Sequence, residues 1–463
     1  MKAPHNTLSY TELIANTHLQ PGTKILFAHF PGDGHFNPLT GLAVHLKALG
    51  CDVRWYTSPH YAGKIKKMDM PYYLFDKAVD VHASNIEQVF PERAKCKSQV
   101  SKLKFDMIHA FVLRSPEYYE DLRELKRTFN FGIMICDNTF GAIPFVREKL
   151  HVPVIAISIV PLVETSRDLP PAGLGLTPSG SYLGRRRQDL LRYLADKFLF
   201  ARPVKVMQAI LRSYGIDPGK WNIFDILLKK ADLVLQSGVP GFEYRRSDMG
   251  ANIHFIGPLL PYAPKQKGPR WYDKRLTRYK KVVLVTQGTV EKDPSKLLEP
   301  TLEAFKNTDT LVIATTGGSG TTKLRELYPW DNILIEDFIP FDDVMPYADV
   351  YVTNGGYGGV LLGIQNSLPL VVAGVHEGKN EICARVDYFR LGINLETETP
   401  SPQKLKAAVE NVMADQQYKI NVALLKEEFT HYHPDELCAY YVSELLREKT
   451  KKALLRAKLL QEV

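Results

Sequence analysis

Cysteine is scarce in this sequence of 463 residues, and the five cysteines are scattered rather than paired or clustered. They are Cys51, Cys96, Cys136, Cys383 and Cys438. No Cys-x-x-Cys spacing or Cys/His cluster is present, so we expect neither a disulfide framework nor a bound metal. This usage is typical of a reducing, cytoplasmic compartment.

Long apolar runs and a leader-like N-terminus are also absent. No stretch approaches the roughly 18 apolar residues of a membrane-spanning helix, and residues 1–22 lack a basic start followed by an apolar run. The net charge of +8 is modest for this length, so we expect a solvated basic surface, without a nucleic-acid partner or membrane contact. Residues 185–205 leave an alternative open, because they are basic with apolar residues at helical steps, as in a helix that lies on a membrane.

Short strand-like runs alternate with helical patterns in both halves of the chain. Residues 24–30 form an apolar run that ends at a Pro-Gly-Asp-Gly turn, a helical pattern follows, and residues 53–57 resemble the next strand. Further strand-like runs cover residues 132–136, 154–158, 281–286, 310–315, 333–335, 349–353 and 370–373. The pattern predicts an α/β protein with two doubly wound, Rossmann-like domains that face a shared cleft.

Proline and glycine mark the segments between these units. Residues 256–269 are polar and dense in proline, which predicts a linker at 256–275. It separates a first domain at 23–255, preceded by an N-terminal extension at 1–22, from a second domain at 276–435. A second irregular stretch, 168–184, is too long for a simple connector and is either a mobile loop or a binding loop.

Two side chains beside predicted strands of the first half suit acid–base chemistry. His35, in a Gly-His-Phe-Asn-Pro stretch, can accept a proton near neutral pH. Asp137 follows the strand at 132–136 and could hold the other imidazole nitrogen, which would fix the tautomer. On position alone, His35 could equally satisfy the backbone of the following helix, and Asp137 could be a helix N-cap.

A glycine-rich loop, Asn-Gly-Gly-Tyr-Gly-Gly, follows the strand at 349–353 and precedes an apolar helix. Its backbone N–H groups and the helix N-terminus could hold a diphosphate, although tight packing of helix on strand would also explain the glycines. Gly288 and Thr289, after the strand at 281–286, could contact the same diphosphate. The candidate residues in the loop are Asn354, Gly355, Gly356, Tyr357, Gly358 and Gly359.

The order and spacing of these motifs resemble the UDP-glycosyltransferase superfamily, in particular bacterial YjiC-like and macrolide-type enzymes, over about residues 24–446. The resemblance implies the GT-B architecture: an acceptor-binding first domain, a nucleotide-sugar-binding second domain and a final helix at 436–463 that crosses back. It implies that His35 is the general base, that Asp137 is its partner and that Gly34 lies near the donor. Phe338, in a stretch similar to the Trp-x-Pro-Gln element, would stack on the nucleobase.

Several positions depart from the family's pattern. Asn354 stands where the family has a histidine that contacts the diphosphate, and Leu362 replaces a glutamate that holds the ribose hydroxyls. The Asp-Gln pair that grips the donor sugar falls on Gly378-Lys379. The candidates for the sugar are therefore Glu377, Lys379, Asn380 and Glu381.

The resemblance implies an inverting transfer from a UDP-sugar, with glucose as the first choice and a dTDP-sugar as an alternative, and without a required metal. The acceptor would be the hydroxyl of a small apolar molecule such as a flavonoid, terpenoid or macrolide, and the protein a monomer or homodimer. Candidate acceptor residues, each also a candidate for the core, are Phe75, Phe111, Phe140, Leu162 and Leu174. Three other interpretations stay open: a membrane-surface transferase with a lipid acceptor, a nucleotide-sugar-binding relative without turnover, and a GT-B epimerase or phosphorylase.

Overall fold

The computed structural model describes residues 9–262, 270–288 and 291–461. The first of its two parallel sheets has seven strands: β1 (Lys24–Ala28), β2 (Asp52–Thr57), β3 (Tyr72–Leu74), β4 (Ile133–Asp137), β5 (Val154–Ser158), β6 (Leu233–Ser237) and β7 (Ile253–Gly257). Their spatial order is β3-β2-β1-β4-β5-β6-β7. The order reverses direction between β1 and β4, and ligand loops of doubly wound sheets lie at such a point.

The second sheet repeats this design with six strands. They are β8 (Lys281–Thr286), β9 (Thr310–Thr315), β10 (Ile333–Glu336), β11 (Val350–Thr353), β12 (Leu370–Val372) and β13 (Gly392–Asn394). The order is β10-β9-β8-β11-β12-β13, so the reversal lies between β8 and β11. The predicted strands of the second half therefore form one sheet, with the glycine-rich loop and residues 287–288 beside its reversal point.

Apolar residues on both faces of the central strands explain why each sheet is covered on both sides. In β1, Ile25 and Phe27 belong to one hydrophobic cluster, whereas Leu26 and Ala28 belong to the cluster on the opposite face. The strand β8 alternates in the same way between two clusters of the second sheet. Continuous apolar strands of this kind are typical of parallel sheets flanked by helices.

Helices connect and cover the strands. In the first half they are α1 (Tyr10–Asn16), α2 (Asp33–Ala48), α3 (Pro59–Lys67), α4 (Ile86–Val89), α5 (Gln99–Asp106), α6 (Ser115–Thr128), α7 (Ile143–Lys149), α8 (Tyr182–Leu194), α9 (Ala201–Ser213) and α10 (Ile223–Lys230). In the second half they are α11 (Arg275–Arg278), α12 (Leu298–Phe305), α13 (Thr321–Leu327), α14 (Phe341–Val344), α15 (Tyr357–Gln365), α16 (Lys379–Tyr388), α17 (Pro402–Ala414), α18 (Gln416–Phe429) and α19 (Pro434–Gln461). A π-helical turn at Ala195–Phe200 joins α8 to α9.

The first and the last described helices, α1 and α19, pack together on the first half of the protein. The long helix α19 contacts α1, α2 and β7, all of which belong to the first half. The helix α1 lies within the predicted extension at 1–22, and its Leu13 is buried. The predicted linker at 256–275 runs from the end of β7 to the start of α11, and its residues 263–269 lie outside the described residues.

Candidate active site

His35 and Asp137 meet at the point where the first sheet reverses direction. His35 lies in the first turn of α2, directly after β1, and Asp137 is the last residue of the neighbouring strand β4. Imidazole Nδ1 and carboxylate Oδ1 are 3.0 Å apart. A Cβ on Gly32, the residue before the helix, would lie 2.7 Å from the imidazole ring, so the glycine leaves room for His35.

The carboxylate of Asp137 is fully buried, yet every contact made with it favours the ionised form. It accepts hydrogen bonds from the backbone N–H of Phe30 (2.7 Å), from the N–H of Thr139 (2.9 Å) and from the Thr139 hydroxyl. Burial raises the pKa of Asp137, but the adjacent His35 and these hydrogen bonds outweigh it, and the net pKa is below the ordinary value. An ionised Asp137 accepts a hydrogen bond from the N–H at Nδ1 of His35, which leaves Nε2 as the nitrogen that can take up a proton.

A second histidine close by is excluded from acid–base chemistry by its burial. His29 has no exposed surface, and its ring nitrogens contact the Phe30 carbonyl (2.8 Å) and the Thr57 hydroxyl (2.9 Å). Burial lowers the pKa of His29 to about 4, so it stays neutral. The His35 side chain, by contrast, keeps 23% of its surface exposed.

The glycine-rich loop lies at the reversal point of the second sheet: residues 354–356 connect β11 to α15, and residues 357–359 form the first turn of α15. Asn354 joins the two loops there: its amide donates to the Gln287 carbonyl after β8, and its side-chain oxygen accepts from the N–H of Gly356 (3.4 Å). Gly355 has a φ of 77°, and a Cβ there would collide with the sulfur of Cys383. Glycine is therefore required at 355 by conformation and by packing.

The other glycines of this region differ in whether their surroundings leave room for a side chain. A Cβ on Gly358 would meet nothing within 4 Å, whereas one on Gly359 would contact the hydroxyls of Tyr351 and Thr353. Gly288 has a φ of 77° and lies beside the Asn354 amide. The predicted contact of Thr289 lies outside the described residues.

The two halves are in contact around this region. The helix α2, which carries His35, contacts the helix α15, which begins within the glycine-rich loop. Tyr357, the first residue of α15, is buried, and its hydroxyl donates to the Ser237 carbonyl at the end of β6 (2.8 Å). The Tyr357 side chain is thus part of the contact between the halves. At the N-terminus of α15 this residue offers a ligand only its backbone N–H.

A clasp of polar contacts joins the irregular stretch at 168–184 to α16. The Glu381 carboxylate accepts from the N–H groups of Gly173 and Gly175, both at 2.8 Å, and Asn380 donates to the Gly173 carbonyl at 2.9 Å. Glu381 also pairs with Arg385 at 3.0 Å. The stretch is therefore a loop held against the second domain, which favours the binding-loop interpretation.

Deeper in the same interface, a buried ion pair joins the two halves. Arg385 contacts Glu243 at 3.0 Å, and both side chains expose 5% or less of their surface. Glu243 also accepts from the N–H of Leu162 (2.7 Å). The sequence offered no signal for this pair, because its members are 142 residues apart.

Comparisons with known proteins assign this architecture. Residues 299–443 match the EryCIII-like family, described as the C-terminal domain of erythromycin biosynthesis protein CIII-like proteins. UDP-glucosyltransferase 1 of Beauveria bassiana is 29% identical over 441 residues, covering 90% of this chain and 94% of the relative. The 4'-demethylrebeccamycin synthase of Lentzea aerocolonigenes is 33% identical over 410 residues, covering 88% of this chain and 96% of the relative. The chain belongs to the UDP-glycosyltransferase superfamily.

The fold of this glycosyltransferase agrees with solved structures. The glycosyltransferase of kitacinnamycin matches it with a TM-score of 0.70 at 20% sequence identity, covering 93% of this chain and 99% of that one. Two facing parallel-sheet domains of this kind have the GT-B fold, so the predicted fold is confirmed. The protein is accordingly an enzyme that transfers a sugar from a nucleotide sugar, and the prediction of a glycosyltransferase is confirmed.

The acceptor candidates of this transferase fall into two groups. Phe111 is half-buried and stacks on Phe30 with ring centroids 4.0 Å apart, and Phe30 contacts the His35 ring at 5.2 Å. Leu174 is 40% exposed in the clasped loop. Sequence reasoning missed Phe30, although it lies directly before the turn that leads to His35.

The remaining acceptor candidates belong to the core. Phe140 is fully buried against Tyr56, and Leu162 is almost fully buried; both belong to the hydrophobic cluster of the first sheet, and their contact with the acceptor stays a prediction. Phe75 is half-buried and packs its ring against Tyr56 at 4.8 Å. Proximity to a strand end does not distinguish a core side chain from one that lines a pocket, because side chains at strand ends also point into the core.

The donor candidates of the transferase lie on the second domain. Phe338 exposes 73% of its surface beside the turn at Gly318, so a flat face is free for stacking. Lys379 pairs with Glu377 at 2.8 Å, which holds both at the start of α16. Gly34 is exposed, in the same helical turn as His35.

Neither a metal cluster nor a bilayer-spanning helix is found within the described part of the transferase. Among residues 9–262, 270–288 and 291–461, no group of three or more His, Cys, Asp or Glu side chains could hold a metal ion. In the same ranges no helix combines the length and the apolar character that crossing a bilayer requires.

Proposed function

We propose that the protein is an inverting transferase that moves glucose from UDP-glucose to a hydroxyl of a small apolar acceptor. The observation that carries the proposal is the pairing of a partly exposed His35 with a buried, ionised Asp137 at 3.0 Å. An imidazole held in this way can take a proton from an alcohol, because the carboxylate stabilises the imidazolium that forms.

The proposed step is a direct displacement at the anomeric carbon. Nε2 of His35 removes the acceptor hydroxyl proton while the hydroxyl oxygen forms the new bond to the anomeric carbon. The bond from that carbon to the diphosphate oxygen breaks on the opposite face, and the configuration inverts. General-base assistance of this kind typically contributes about 100- to 10,000-fold to the rate.

The leaving diphosphate is assigned to the loop at the N-terminus of α15. Backbone N–H groups at Tyr357 and Gly358, in the first turn of α15, together with the helix dipole, would stabilise the developing charge without a metal. Asn354 contributes by holding the loop, because its side chain bridges residues 287 and 356. This supports the second domain, 276–435, as the donor domain.

The nucleobase and the sugar have separate candidate contacts. Exposed Phe338 would stack on the base, and the pair Glu377–Lys379, with Asn380, would face the sugar. UDP-glucose is the first choice because the Beauveria bassiana relative is named UDP-glucosyltransferase 1. Leu362 cannot accept a hydrogen bond from a ribose hydroxyl, so a dTDP-sugar is the donor to compare with UDP-glucose.

The acceptor is assigned to the first domain, 23–255. The stacked rings of Phe30 and Phe111 lie beside His35, and Leu174 extends from the clasped loop. An apolar, aromatic environment next to a general base suits a flavonoid, terpenoid or macrolide that carries a hydroxyl.

The test combines a panel of donors with a panel of acceptors. The protein is incubated with UDP- and dTDP-sugars and with a flavonol, a terpenoid alcohol and a macrolide, with and without EDTA. Mass spectrometry is expected to find a hexoside from UDP-glucose, NMR a β-anomer from the α-linked donor, and EDTA no effect. An α-anomer would contradict inversion. Sugar rearrangement without an acceptor, or nucleotide binding without any product, would favour the epimerase or the non-catalytic interpretation.

A further inference from the structure

The outward face of α8 and of the π turn after it is apolar and exposed. At 3.6 residues per turn, its six large apolar residues lie on one side of the helix. Five of them expose between 56% and 78% of their surface, and Leu194 exposes 37%. The five are Tyr182, Leu183, Leu190, Tyr193 and Phe198. A contiguous exposed set of this size marks a binding surface, whereas single exposed apolar residues do not.

Contacts on the opposite side fix the orientation of this helix. Gln188 is buried, accepts from the N–H of Ser179 (2.5 Å) and donates to the Asp168 carbonyl (3.2 Å). Arg192 donates to the Leu169 carbonyl. The polar side chains on the inner side are thus tied to the loop before α8, and the apolar side chains cannot turn inward.

Cations are interleaved with the apolar side chains. Arg186 and Arg187 are exposed among them, Arg185 is exposed on the side of the helix that carries Gln188, and Lys197 follows about three turns later. The Arg186 guanidinium lies 5.5 Å from the Tyr182 ring, and the Lys197 amine lies 5.4 Å from the ring of Tyr193. Within the described residues, none of these four cations forms an ion pair within 4 Å.

The few acidic groups on this helix do not cancel that charge. Asp189 pairs with Arg192 at 2.5 Å. Burial raises the pKa of Asp196 above its ordinary value, and the nearby Arg192 offsets this only in part. The exposed face therefore keeps a net positive charge. A negatively charged, partly apolar surface is the complementary partner.

We propose that the α8 face docks on an anionic lipid surface. Tyrosine and phenylalanine rings prefer the headgroup level of a bilayer, leucines reach the acyl boundary, and arginines bind lipid phosphates. A second copy of the chain fits the charge less well, because a two-fold interface sets the same patch against itself and would oppose its own arginines. The proposal concerns attachment and does not depend on the assigned sugar transfer.

Flotation with vesicles tests the proposal. The full-length protein is mixed with vesicles of phosphatidylglycerol and phosphatidylcholine, or of phosphatidylcholine alone, at low and high salt. Binding is expected only to the anionic vesicles and is expected to weaken as salt rises. The triple variant Arg185→Gln/Arg186→Gln/Arg187→Gln should bind about 100-fold more weakly, since each cation near the surface contributes about a five-fold factor.

Two further variants distinguish binding through the α8 face from a general effect of the protein's net charge. Leu183→Ser/Leu190→Ser keeps every charge and should lose about tenfold or more of the binding, because it removes apolar contact. Lys66→Gln/Lys67→Gln/Lys323→Gln loses the same three charges from exposed positions on α3 and α13 and should bind as the unchanged protein does. The thermal melts of all variants should coincide, since each replaced side chain is exposed.

Three results would overturn the proposal. The first is an absence of binding to anionic vesicles by the unchanged protein. The second is a loss of binding in the α3/α13 control equal to that of the triple arginine variant, which would show that binding depends on net charge and not on the α8 face. The third is a dimer, measured by light scattering, that dissociates on Leu183→Ser/Leu190→Ser while vesicles remain unbound; it would assign the face to a second copy.

Discussion

Replacing Asp137 by asparagine tests the proposed role of the buried carboxylate. Four hydrogen-bond contacts converge on this group, from Phe30 N–H, Thr139 N–H, the Thr139 hydroxyl and His35 Nδ1. An amide keeps the size of the side chain but removes the charge, and its NH2 group cannot accept a hydrogen bond. The imidazolium would lose its stabilising partner, and Nε2 would become a weaker base.

The expected loss in rate follows from the general-base contribution. Because that contribution is about 100- to 10,000-fold, Asp137→Asn should lower kcat by at least about 100-fold. The Kd for UDP should stay within about twofold, since the carboxylate lies in the first domain. Single-turnover kinetics would measure the rate, and calorimetry would measure nucleotide binding.

The same variant should alter the dependence of stability on pH. The pKa of Asp137 is lower in the folded protein than its unfolded value of about 3.9, so its contribution to stability is complete above that pH. The contribution is lost as the pH falls through the folded pKa. The difference in free energy of unfolding between the native protein and Asp137→Asn should therefore shrink in acid.

Asp121 supplies a matched control. It is also a buried aspartate of the first domain, and it accepts hydrogen bonds from the Tyr56 hydroxyl and from the N–H groups of Asp76, Lys77 and Ala78. Asp121→Asn should cost a similar amount of stability, about 1–3 kcal/mol for a disturbed buried group, with kcat almost unchanged. Equal kcat losses in the two variants, or a fully active Asp137→Asn, would refute the role assigned to Asp137.

The other predictions concern the donor domain and the interface. Phe338→Ala should weaken UDP binding about five-fold or more by calorimetry, because stacking on a base is worth about 1–3 kcal/mol, while the melting temperature stays unchanged. Gly355→Ala should lower the melting temperature clearly, since a Cβ meets the Cys383 sulfur, whereas Gly358→Ala should not; equal melts would contradict the packing argument. Arg385→Ala leaves Glu243 buried without its nearest charged partner and should cost about 3–5 kcal/mol in denaturant unfolding, so a change below about 1 kcal/mol would contradict this.

The sequence allowed the fold to be predicted because its signals are local. Apolar runs such as residues 281–286 and 310–315 correspond to β8 and β9, residue for residue. The proximity of His35 to Asp137 followed from the rule that parallel strands end at the same edge of a sheet, since β1 and β4 turned out to be neighbours. Local spacing and sheet topology were sufficient there.

The parts that could not be predicted depend on contacts between distant segments. Two examples are the contacts of Glu381 with the loop before α8 and the ion pair of Arg385 with Glu243. Each joins residues more than one hundred positions apart, so no local sequence pattern predicts it. The direction of the Tyr357 side chain, into the contact with β6, likewise depends on how the two domains meet. The burial of Phe140 likewise depends on its neighbours in the core, which the sequence does not specify.

The central claim is that the imidazole of His35 deprotonates the acceptor, and one measurement addresses it directly. Single-turnover transfer by His35→Ala from UDP-glucose is measured beside the Kd for UDP. The account predicts a rate at least about 100-fold lower with the Kd almost unchanged. A variant that binds UDP normally and still transfers sugar at the native rate would contradict it.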